Sequence, residues 1–106
     1  MLEQNNIGFI KEKTFSNCKY VNGASPRFDF YVDNNYIIEF DGEQHFNNRE
    51  TGWFTKEQVQ VIQEKDNFKN KWCKENNIPI IRIPYTKLNT LTIEDLLLSS
   101  SKYLLN

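Results

Sequence analysis

Three acidic residues stand where a β-hairpin would bring them together. Asp29 lies in Arg27-Phe28-Asp29-Phe30-Tyr31-Val32, and Glu39 and Asp41 lie in Tyr36-Ile37-Ile38-Glu39-Phe40-Asp41. Side chains alternate along a strand, so Ile37, Glu39 and Asp41 share one face while Ile38 and Phe40 take the other. The runs are joined by Asp33-Asn34-Asn35, residues that tolerate the left-handed backbone of a tight hairpin. Asp29, Glu39 and Asp41 are therefore expected to converge in a partly desolvated place. Their repulsion must be relieved there by protons or by a cation, and an all-oxygen cluster suits Mg2+ or Mn2+. The same spacing is compatible with acids that simply face water.

Other residues around them could take part. His45, the sole histidine, follows Asp41 by four residues. Its imidazole titrates near neutrality, so it could accept a proton from water or donate one to a leaving alkoxide, unless it is an ordinary loop histidine. Gln44 could order a water or a phosphate, or be a solvated loop residue. Further along, Val61, Ile62, Phe68, Trp72 and Cys73 fall on one broad apolar helix face, with Lys69 inside it and Asp66 at its border. Lys69 either snorkels along that face or reaches the acids and supplies a positive charge. Arg82, alone in Ile80-Ile81-Arg82-Ile83, either meets a phosphate or projects from the sheet edge. Lys11, Lys13, Lys19, Lys65, Lys71 and Lys74 offer phosphate contacts or plain solvated surface.

The elements that must position these residues follow from turn signals and periodicity. Leu2 to Asn6 reads as the last turn of a helix and Gly8 to Phe15 as a strand. Ser16 to Pro26 reads as a loop, and the hairpin follows. Glu43 to Trp53 is a polar loop. Thr55 and Gln58 have capping-box spacing, with Phe54 and Val59 as a hydrophobic staple, and a helix is expected from about Lys56 to Lys74. Asn76-Asn77-Ile78-Pro79 ends it, echoing Asn5-Asn6-Ile7 near the N-terminus. Ile78 to Tyr85 reads as an interior strand, and Thr92 and Asp95 as the start of a leucine-rich terminal helix. A strand–helix–strand passage makes a right-handed parallel crossover, so the sheet is expected to be mixed.

Composition bounds the partners. The 106 residues are 39% apolar and 25% charged, which fits one globular domain over residues 1–106 with fifteen aromatics supplying much of its core. Thirteen Lys and Arg against fourteen Asp and Glu give a net charge of -1, so no global field advertises nucleic acid. No apolar run reaches membrane-spanning length and no signal peptide is visible, which predicts no membrane partner and a cytoplasmic location. Cys18 and Cys73 lack metal-ligand spacing and are expected to be reduced thiols.

Pro26-Arg27-Phe28-Asp29, then ten residues, then Glu39-Phe40-Asp41-Gly42-Glu43-Gln44-His45 resembles the PD-(D/E)XK nuclease superfamily, in particular its very-short-patch-repair-like and homing-endonuclease-like branches. The resemblance covers about residues 7 to 85. It implies an α/β, restriction-endonuclease-like αβββαβ core with a mixed sheet, here with the N-terminal helix truncated and an extra C-terminal helix. It also implies a Mg2+-dependent (or Mn2+-dependent) endonuclease that hydrolyses DNA phosphodiesters to 5′-phosphates. Asp29 and Glu39 would then be metal ligands aided by the Phe40 carbonyl, with Asp41 as a further metal ligand and His45 a proton carrier, beside the substrate contacts read above for Gln44 and Arg82. Two departures stand out. Asp41 occupies the motif's lysine position, and the upstream helix that often carries another Glu is reduced to Leu2 to Asn6, where Glu3 lies close to the strand. Related nucleases move the lysine to a helix, so Lys69 is the candidate substitute, and on that reading Lys69→Met should lower activity with little change in melting temperature. A strand without its covering helix predicts a homodimer or a larger partner. The competing expectation is a nuclease fold that has lost catalysis and serves as a DNA-docking or protein-interaction module.

Overall fold

The computed structural model describes residues 2–42 and 56–105 and is a mixed α/β fold. Five strands form one sheet in the order β1-β2-β3-β4-β5: β1 (Phe9–Lys13), β2 (Phe28–Val32), β3 (Tyr36–Asp41), β4 (Ile80–Pro84) and β5 (Leu104–Leu105). β1, β2 and β3 are antiparallel neighbours. β3 and β4 are parallel and connected through α1 (Lys56–Glu75), as the crossover requires. The hairpin turns at Asp33 and Asn34, whose φ angles of 54° and 51° mark a type I′ turn, closed by Asn35 N–H donating to the Val32 carbonyl at 2.9 Å.

The sheet has a core on each face. Toward α1, Phe28, Ile37 and Ile80 pack with Cys18, Trp72 and Cys73. On the other face Val32, Tyr36, Ile38, Ile81 and Ile83 pack with Leu2 and Leu96. The face that a truncated N-terminal helix would leave bare is thus covered in part by the 3-10 turn Glu3–Asn5 and by the C-terminal segment. A cleft of about 390 Å³ remains there between Phe9, Phe30, Phe40 and Leu91. Both cysteines are free and buried, and burial pushes the Cys73 thiol up to about 12. Among the described residues no helix is long and apolar enough to cross a membrane.

Three expectations are corrected. The leucine-rich terminal helix does not form. Thr92 and Asp95 do build a capping box, but only the 3-10 turn Ile93–Leu96 follows, and Leu97 is already extended. Serine side chains compete for the backbone beyond it: Ser100 Oγ donates to the Glu94 carbonyl at 2.7 Å, and Ser101 Oγ accepts from Tyr103 N–H at 3.1 Å. The chain then adds β5 to the otherwise open edge of β4. The first strand stops at Lys13 instead of reaching Phe15, whose ring packs on Phe28, Tyr31 and Trp72. Val61 is 48% exposed although it falls on the apolar face of α1.

Candidate functional site

The site begins where β2 and β3 stop pairing. Their register runs from Val32↔Tyr36 to Phe30↔Ile38 and goes no further. At Asp29 the alternation of β2 slips, since Phe28 packs into the α1-side core and Phe30 against the opposite one. Across from it Glu12 of β1 has a φ of 52°, and no Glu12–Asp29 pair forms between Lys11↔Phe30 and Lys13↔Phe28. Such irregularities re-aim side chains. Here two carboxylates take over the ladder's work. Asp29 N–H donates to Glu39 Oε2 at 2.6 Å, and Phe40 N–H donates to Asp29 Oδ2 at 2.8 Å.

Lys69 completes the cluster. Its Nζ donates to Glu39 Oε1 at 2.7 Å and to the Arg27 carbonyl at 2.6 Å, and lies 5.1 Å from the centre of the Phe28 ring. The apolar stripe of α1 buries the lysine stem, and the ammonium emerges where the strands separate. Glu39 is only 4% exposed. Burial pushes its carboxyl above the ordinary range, opposed by the charge and hydrogen bond of Lys69 and by the Asp29 N–H, while the Asp29 charge pushes it further up. Asp29 is half-buried, and among the described residues no group bonds its Oδ1.

Asp41 belongs to a second network. Arg82 Nη1 donates to Asp41 Oδ1 at 2.6 Å and lies 3.5 Å from Asp66 Oδ1, Nε donates to Asn70 Oδ1 at 2.7 Å, and Nη2 donates to the Asp66 carbonyl at 3.3 Å. Arg82 sits opposite Glu39 in the parallel register, but Lys69 already satisfies Glu39, and the guanidinium reaches along β3 to Asp41. It therefore ties β3, β4 and α1 together. It does not project from a sheet edge, because β4 is an interior strand. Among the described residues no three His, Cys, Asp or Glu side chains group so as to hold a metal ion. Hydrogen bonds thus join Asp29 to Glu39, while Asp41 pairs with Arg82.

No family of known proteins, no curated protein and no solved structure matches this chain. Asp29, Glu39 and Lys69 come together, and Asp41 and Arg82 form the neighbouring network. Glu3 lies at the cleft on the opposite face of the sheet and takes no part. Gln44, His45 and the cap and staple residues Phe54 and Thr55 lie outside the described residues. Sequence reasoning missed the Arg27 carbonyl and Asn70. Asn70 carried a signal, since Asp66 and Asn70 are one helical turn apart.

Proposed function

We propose that the chain is a metal-dependent nuclease of the PD-(D/E)XK type, hydrolysing DNA phosphodiesters at Asp29 and Glu39. The apposition of a half-buried Asp, a buried Glu and a Lys at the mouth of a strand pair carries this reading. The donor set suits Mg2+ or Mn2+, which need only one or two carboxylates and complete their shell with water and substrate phosphate oxygens. Asp29 Oδ1 and Glu39 Oε1, with the Phe40 carbonyl, would hold the cation, which would supply Lewis-acid activation and an acidified water. Asp29 is fixed by the Phe40 N–H and Glu39 by the Asp29 N–H, so both carboxylates are oriented before any substrate arrives. Lys69, bonded to Glu39 Oε1, would supply the positive charge beside the cation in place of the motif lysine, and His45 would carry the proton.

The test is cleavage of supercoiled plasmid with Mg2+ or Mn2+ by the wild-type chain and by Asp29→Asn and Glu39→Gln, with divalent binding followed by calorimetry. Cleavage and binding that survive in both variants would end the proposal.

A second reading has its own support, because Lys69 and Asp29 N–H already satisfy both oxygens of Glu39 without a metal. In it the chain is a DNA-docking or protein-interaction module on the same fold. Metal separates the two readings: binding to the folded state at a hundredfold excess over Kd raises stability by about 2.7 kcal/mol, whereas the module shows no rise.

A further inference from the structure

A carboxylate pair cannot hold an anionic phosphodiester unaided, so donors must come from its rim. The two largely buried cations, Lys69 and Arg82, are engaged. Lys69 bonds Glu39 and the Arg27 carbonyl, and Arg82 bonds Asp41, Asp66 and Asn70. The loop before β2 offers another source. Its Tyr20–Ala24 turn is closed by Tyr20 N–H to the Ala24 carbonyl and Gly23 N–H to the Tyr20 carbonyl, each 2.9 Å, and Gly23 takes a φ of 88°. The Tyr20 ring lies 4.9 Å from that of Phe68, the residue before Lys69, and Lys65 Nζ lies 5.7 Å from the Tyr20 ring centre. Among the described residues nothing bonds the Tyr20 hydroxyl, although the ring is half-buried. At the tip, Val21 is fully exposed.

We infer that Tyr20 and Lys65 form a phosphate-contacting rim beside the Asp29–Glu39 pair, the Tyr20 hydroxyl donating to a phosphodiester oxygen of bound DNA and the Lys65 ammonium pairing with a phosphate. This rests on the phosphodiester reading above. Tyr20 stands on Phe68, which precedes the Lys69 that bonds Glu39, and the Lys65 ammonium lies beside its ring. Burial first, then the charges of Cys18, Asp66 and Glu39, push its hydroxyl above the ordinary range. The phenol stays protonated and remains a donor at neutral pH.

The experiment measures fluorescence anisotropy of a short labelled DNA duplex of mixed sequence, with Ca2+ to hold cleavage back, over a series of salt concentrations. Tyr20→Phe keeps the ring on Phe68 and removes only the hydroxyl. It should weaken binding about threefold to tenfold, the loss of one hydrogen bond, with the salt slope and melting temperature unchanged. Lys65→Gln should flatten the salt slope by about one. Wild-type binding with an unaltered affinity in Tyr20→Phe and an unaltered slope in Lys65→Gln overturns this inference and leaves the nuclease reading standing. Wild-type protein that neither binds the duplex nor cleaves plasmid overturns both.

Discussion

Replacing Lys69 by Met keeps the stem on Phe28 and removes the charge that faces Glu39. The expectation that this leaves the melting temperature unmoved does not survive the structure, because Glu39 is 4% exposed and would lose its counterion. The cost has a ceiling. Glu39 can escape by taking up a proton, and from its ordinary value of 4.5 this costs about 3.4 kcal/mol at pH 7 but only about 0.7 kcal/mol at pH 5. The sign follows from linkage. A carboxyl whose folded pKa is raised binds protons better when folded, so its contribution to stability falls as pH rises from the unfolded value through the folded one. Lys69→Met raises the folded value further and extends that decline. The variant should match the wild type within about 1 kcal/mol at pH 5. Above the wild type's own raised value the gap should widen by about 1.4 kcal/mol per pH unit, to no more than about 3 kcal/mol at pH 7, or at most on the order of 10 °C in melting temperature. Urea unfolding in chelator across this range reads the effect. A stability gap that is absent at pH 7, or that does not change with pH, would refute the charge pairing.

The other expectations are shorter. Asp41→Asn leaves Arg82 with Asp66 and Asn70 and should cost about 1 to 3 kcal/mol in urea unfolding while divalent binding by calorimetry is unchanged; a loss of binding would make Asp41 a ligand after all. Asn77 has a φ of 58°, so Asn77→Ala should cost about 1 kcal/mol and Asn77→Gly nothing, and equal stabilities for the two would remove the role given to that residue.

The parts of the fold written in local chemistry were legible. Both Asn-Asn-Ile stretches end a helical turn in the same way, with the second Asn left-handed (Asn6 at 57°, Asn77 at 58°) and the Ile N–H reaching back five residues, Ile7 to the Leu2 carbonyl and Ile78 to that of Cys73. The hairpin turn, the crossover and the apolar centre of β4 belong to the same class. What was not legible depended on competition or on distance. The Thr92 and Asp95 signals are real, but the serines that follow and the open edge of β4 outweighed the helix they announced. Alternation put Asp41 beside Glu39 on one face, yet which cation each acid meets depends on how α1 crosses the sheet. Lys69 comes to Glu39 and Arg82 to Asp41 because α1 places its apolar stripe over Phe28 and Ile37.

Burying Glu39 against Lys69 is an expensive way to fill space. Taking both charges out of water costs several kcal/mol per ion, which their attraction and hydrogen bonds only roughly return, and well-packed apolar residues in such a place are commonly as stable or more so. A purely architectural role for the pair therefore predicts that nothing is gained by keeping it ionic. The slipped alternation at Asp29 and the positive φ of Glu12 point the same way, since they give up ladder hydrogen bonds in order to aim a carboxylate. Glu39→Leu together with Lys69→Leu removes both charges at once and leaves neither unpaired. Because the Asp29 N–H and the Arg27 carbonyl lose their partners, this double variant should cost no more than about 1 to 3 kcal/mol in urea, with no dependence on pH, in contrast to Lys69→Met, and should neither bind Mn2+ by calorimetry nor nick plasmid. If it unfolds far more easily than the wild type, the ion pair is a stabilising strut and the functional argument from its burial fails. If it is stable and still binds Mn2+, the metal is held by residues other than Glu39.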